Sequence, residues 1–142
     1  MRFLIFALLF SIFNLATVQS QEVFGKWKTI DDQSGEAKSV VEIYEEDGKL
    51  YGKIVDIINP DRRDALCTQC EGNDKDQPIL GLQIIRGLEK DGDEYNGGKI
   101  LDPESGKLYK CYIELIDNNK LKVRGYIGFS LLGRTQYWYP VK

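Results

Sequence analysis

Three cysteines, a scatter of carboxylates and no histidine set the chemistry open to this chain. Without histidine there is no Ser-His-Asp or Cys-His nucleophile system and no His-ligated metal site. Cys67-Thr68-Gln69-Cys70 is the sharpest chemical motif. Such a pair can close a small redox-active ring, often with a depressed thiol pKa. Redox enzymes of that type place the pair at a helix start after a strand. Here it lies in a polar stretch between Pro60 and Pro78, which favours a loop-tying disulfide in an oxidising compartment. Three cysteines always leave one over. A bridge from the loop to Cys111 closes the longer loop and would stabilise by ~4 kcal/mol, against ~2 for the local ring. Alternation, however, turns Cys111 toward the core, so Cys67–Cys70 is the preferred pair. A metal site from Cys67, Cys70, Cys111 and a carboxylate lacks a histidine and is not expected. Asp56, Asp61, Asp64, Asp74 and Asp76 are interleaved with Arg62, Arg63 and Lys75. They lack the oxygen spacing of a calcium loop and read as a solvated, mixed-charge segment. No catalytic set emerges, so the expectation is a non-enzymatic protein without cofactor or metal.

The elements that would position these residues are short strands. Residues 24–30 and 38–46 read as the first two strands, and Asp47-Gly48 as a tight hairpin into a third over 49–58. Residues 59–77 form a long polar loop, functional or disordered on length grounds. Residues 78–88 read as extended with a short turn. A strand over 94–101 crosses Gly97-Gly98, a candidate bulge or close-packing point. Residues 107–116 alternate, with Tyr109, Cys111, Ile113 and Leu115 on one face. Residues 120–127 place Leu121, Val123 and Ile127 inward, and 134–141 close the set. Seven or eight short antiparallel strands with tight turns argue an all-β up-and-down barrel of about eight strands. Closure removes exposed sheet edges, and eight strands enclose side chains or one small ligand.

The N-terminus reads as an address. Arg2 precedes a nearly unbroken apolar run over 3–13, and Val18 and Ser20 are small enough to flank a cleavage site. Residues 1–20 are therefore expected to be a signal peptide and 21–142 a single mature domain. The run is shorter than the ~20 residues of a membrane span, and no other long apolar run follows. Net charge is −3 with no basic stripe, so nucleic acid is not an expected partner.

Two further groups invite a role. In a closed barrel the first and last strands are neighbours, so Arg134 could cover the face of Trp27 and shut one end, a cation–π contact of ~0.5–2 kcal/mol. Phe129, Leu131 and Leu132 lie in an apolar loop between turn glycines. Either they plug the barrel end, the favoured reading, or they line an entrance or contact surface.

Gly25-Lys26-Trp27 with a late Arg134 resembles the sparse pattern of lipocalin-like calyx barrels. Further pieces are Leu50-Tyr51-Gly52-Lys53-Ile54-Val55, Pro78-Ile79-Leu80-Gly81, the run from Gly97-Gly98-Lys99 to Ser105-Gly106-Lys107, Leu121-Lys122-Val123-Arg124-Gly125-Tyr126 and Arg134-Thr135-Gln136-Tyr137-Trp138. Together they resemble the bacterial family known as domain of unknown function 2147. The resemblance implies an exported, calycin-like barrel in the periplasm or outside the cell, and supplies no catalytic residues. The leading functional expectation is a calyx for a small apolar or amphipathic ligand. The alternatives are an envelope structural or interaction module with a filled barrel, contacting an envelope protein, and a thiol-redox role through Cys67 and Cys70.

Overall fold

A computed structural model describes residues 22–142. The expected signal peptide, residues 1–20, lies outside the described residues. Eight strands follow in chain order: β1 (Gly25–Ile30), β2 (Ala37–Glu46), β3 (Lys49–Ile57), β4 (Gln83–Asp91), β5 (Glu94–Asp102), β6 (Lys107–Asp117), β7 (Lys120–Tyr126) and β8 (Gly133–Pro140). Each pairs with the next, and β8 returns to β1, closing an up-and-down antiparallel barrel.

The strands form where alternation allows one face to be buried. On β6, Cys111 and Ile113 are buried between more exposed neighbours, as the period of two demands. Val41, Ile43, Leu50, Ile85, Leu88, Leu121 and Trp138 join them in one core. At Asp47-Gly48 both residues take positive φ, 52° and 78°, the geometry a tight hairpin needs. The Gly97-Gly98 pair is both a bulge and a close approach. The β5–β6 register shifts between Tyr95 and Gly98, and a Cβ on Gly98 would run into the Arg86 carbonyl oxygen.

The two barrel ends differ because the connections differ. Tight turns join β2–β3, β4–β5 and β6–β7 at one end. The longer connections, residues 31–36, 58–82, 103–106 and 127–132, all gather at the other. Residues 59–77, read as a loop without regular structure, hold 3-10 turns at Pro60–Arg62 and Gly72–Asp74 and a bridge between Leu66 and Pro78.

Candidate functional site

Trp27 anchors the tight-turn end. It is buried, and its indole Nε1 donates to the Val23 carbonyl at 2.8 Å. Phe24 packs edge-on against Tyr95, with centroids 6.5 Å apart. That end is solid.

The pairing of Trp27 with Arg134 is not formed. Trp27 faces Pro140 across the β1–β8 seam, and Arg134 enters six residues earlier, beside Gly125. At about 3.3 Å per residue the two are roughly 20 Å apart along the strand, at opposite ends of the barrel. Neighbouring strands do bring residues together, but only in register, and this register separates them. Arg134 instead makes a fork-like pair with Asp32: Nε donates to Oδ2 at 2.8 Å and Nη2 to Oδ1 at 2.5 Å. The Arg134 hydrogen bonds hold the Asp32 carboxyl below its ordinary range against the opposing effect of burial. Asp32 in turn raises the Arg134 pKa.

Above the packed end the barrel opens into a cavity of about 430 Å³ that reaches the long-connection rim. Ile54, Ile84, Ile100 and Val123 supply its apolar walls, and Trp138 contributes an aromatic face. One wall is polar and internally paired. Trp138 Nε1 donates to Gln136 Oε1 at 3.0 Å, and Gln136 Nε2 to Asp32 Oδ1 at 3.4 Å, leading to the Arg134 fork. Beside it the Thr29 and Ser39 hydroxyls are 2.9 Å apart, and the Ser39 backbone N–H donates to Thr29 Oγ1 at 3.1 Å. Thr29 and Ser39 are small where neighbouring inward positions are large, and Gly125 gives room to the Ile100 and Tyr109 side chains packed against it. An apolar pocket with a few oriented polar groups near its mouth suits an amphipathic guest.

Phe129, Leu131 and Leu132 do not plug the barrel. They are 78 %, 88 % and 66 % exposed, at the tip of the β7–β8 connection. Ile127, expected inward on β7, lies beyond the strand end and is 63 % exposed. The turn holds itself upright: Ile127 N–H donates to the Leu132 carbonyl at 3.0 Å, and Leu132 N–H to the Phe129 carbonyl at 2.9 Å. With those local bonds made, the apolar side chains project outward. Ile127 and Leu132 still border the cavity mouth.

Cys67 and Cys70 form the local disulfide, with Cα atoms 5.3 Å apart. Both are buried, whereas a thiol exchanger needs an accessible sulfur. Cys67 Sγ sits 3.4 Å from the Pro103 carbonyl oxygen, so the ring seats the long β3–β4 connection on the β5–β6 turn. Cys111 is free and buried on the barrel's inner face, where desolvation pushes its pKa to about 12. The loop carboxylates are used locally: Asp74 receives a bidentate fork from Arg86, both bonds 2.9 Å, and Asp56 lies 3.4 Å from Arg63. The sequence reading missed Asp32, Gln136, Thr29 and Ser39. Alternation on β8 could have placed Gln136 inward with Trp138, but the partner Asp32 sits in a turn whose direction no spacing reveals.

An antiparallel eight-stranded barrel, packed at one end and hollow at the other, is a lipocalin-like calyx. The family model described as an uncharacterized protein conserved in bacteria, DUF2147, matches residues 25–139, and the chain belongs to that family. Among solved structures it is similar to protein HP1028 from the human pathogen Helicobacter pylori, described as belonging to the lipocalin family. The TM-score is 0.76 at 20 % identity, covering 87 % of this chain and 85 % of that one. At that identity the likeness is one of fold. Among curated proteins none matches the sequence.

Proposed function

We propose that this protein is an exported, non-enzymatic calyx that holds a small amphipathic ligand in the mouth cavity. The observation that carries the reading is the 430 Å³ space between apolar walls and a hydrogen-bonded polar wall. The apolar part of a guest would lie against Ile54, Ile84, Ile100 and Val123. Its polar end would face Gln136, Arg134 and the rim carboxylates. Export is supported by the bacterial family and by a disulfide, which persists in oxidising compartments. The cleaved N-terminal signal belongs to the same proposal.

Titration with an environment-sensitive naphthylamine dye tests it. Saturable fluorescence enhancement is expected, abolished by Ile100→Trp and weakened by the smaller filling Ser39→Leu, with the β-sheet spectrum unchanged. Enhancement that both filled variants leave intact would sink the reading. The 66–88 % exposure of Phe129, Leu131 and Leu132 favours a second role, a contact surface in the envelope.

A further inference from the structure

The apolar tip of the β7–β8 connection stands beside an unusual stretch of outer wall. From Tyr126 to Gly133 the chain carries no charge, and Phe129 and Leu131 point into solvent. On the adjoining outer wall Lys99 of β5 is the direct cross-strand partner of Lys110 of β6, and both are exposed. Lys110 in turn faces Tyr126 at the foot of the tip. Like charges placed directly opposite destabilise a sheet unless something anionic screens them. Arg124 lies under the tip, where its Nε donates to the Ser130 carbonyl at 2.7 Å and its Nη1 to Thr135 Oγ1 at 2.8 Å. Among the described residues none of these three cations forms an ion pair. In a chain of net charge −3 this is a local reversal of sign next to the most exposed apolar side chains among the described residues, Phe129 and Leu131.

We propose that this tip and wall dock the calyx on an anionic phospholipid surface, with Phe129 and Leu131 entering the acyl boundary and Lys99, Lys110 and Arg124 meeting headgroup phosphates. Sign complementarity favours lipid phosphate, since a neutral apolar partner would leave the lysine pair unscreened. The backbone of the tip also fits a lipid environment, where polar groups need internal partners. The Leu132, Phe129 and Ser130 carbonyls are each already bonded within the protein. Carboxylates occupy the connections on either side, at Asp31 and Glu104, so the contact is side-on through the tip and the β5–β7 wall. Ile127 and Leu132 border both the tip and the mouth, so docking would bring the cavity entrance to the headgroups. This last consequence rests on the calyx reading; the docking itself does not.

Vesicle flotation with the mature full-length protein tests the docking. Binding is expected to vesicles containing a minority of phosphatidylglycerol, to weaken with salt, and to be far weaker on pure phosphatidylcholine. Phe129→Ser with Leu131→Ser should weaken it by at least about tenfold. Lys99→Gln with Lys110→Gln should weaken it about fivefold per charge, roughly twenty-five-fold together. Wild-type protein that never floats, or floats equally well with either double substitution, overturns the proposal. So does tip-dependent dimerisation in sedimentation without vesicle binding, which would make a second copy the occupant. Dye binding measured on the same protein preparations without vesicles separates the two ideas: it reports the cavity, and neither double substitution touches the lining.

Discussion

Trp27→Ala offers the sharpest test of how the barrel is closed. The side chain is 3 % exposed and fills the tight-turn end, so its removal loses a large buried surface and leaves a void. Losses of this kind cost ~3–5 kcal/mol. The Val23 carbonyl, also buried, loses its 2.8 Å partner, which places the cost toward the upper part of that range. For a domain of this size about 4 °C of Tm accompanies each kcal/mol, so the midpoint should fall by roughly 12–20 °C. Arg134→Ala removes a fork whose guanidinium is largely solvated, worth about 1 kcal/mol or less. Because the two residues sit at opposite ends of the barrel, the double variant should be additive within ~0.5 kcal/mol. Urea unfolding followed by far-ultraviolet circular dichroism, a signal that all four proteins share, measures the corners of the cycle. A coupling of ~1.5 kcal/mol or more would mean that indole and guanidinium touch, and would refute the register. A Trp27→Ala cost below ~1 kcal/mol would refute its role as the floor.

Asp32 should make the rim acid-sensitive. Its carboxyl is depressed from an ordinary value of 3.8 by the hydrogen bonds from Arg134, so the stabilisation is complete above that value and is lost as pH falls through the lower folded pKa. Asp32→Asn should flatten that part of the stability–pH curve, and an unchanged acid slope would show the fork contributes nothing. Cys111, pushed to about 12 by burial, should resist alkylation in the native protein and react as the one free thiol after unfolding without reductant. Rapid native labelling would contradict its inner position. Replacing both Cys67 and Cys70 by serine should cost ~2 kcal/mol in denaturant unfolding, since the ring closes over a separation of three residues; a much larger loss would mean that the ring organises the whole mouth.

The strands were readable because burial on a barrel wall obeys a period of two. Tyr109 to Leu115 displays it plainly, and Asp47-Gly48 marks its hairpin by backbone requirement alone. The local disulfide followed from the inward direction of Cys111. Register was not readable to the same degree. Trp27 and Arg134 lie on adjacent strands, but which residue faces which depends on where β8 ends, at Pro140. The tip misled for a related reason. Apolar residues between glycines read as buried, yet Phe129 to Leu132 close their own turn at the rim, and of them Leu132 alone borders the cavity mouth. The β3–β4 connection is ordered by its own irregular pairings, such as Cys67 N–H to the Gln77 carbonyl at 2.8 Å and Ile79 N–H to the Ala65 carbonyl at 3.0 Å, and by the contact of Cys67 with Pro103; none of these follows a regular spacing. The cavity was equally hidden, because its lining is assembled from residues as far apart in sequence as Thr29, Ser39, Gly125 and Trp138.

A guest in the hollow end of the barrel is what the proposed function stands or falls on. Native mass spectrometry of the protein, purified without denaturant, is the decisive measurement. A mass excess matching a small amphipathic molecule is expected, lost on denaturation and absent from the Ile100→Trp variant. A single ligand-free mass for the wild type, together with no dye uptake by that same preparation, would contradict it.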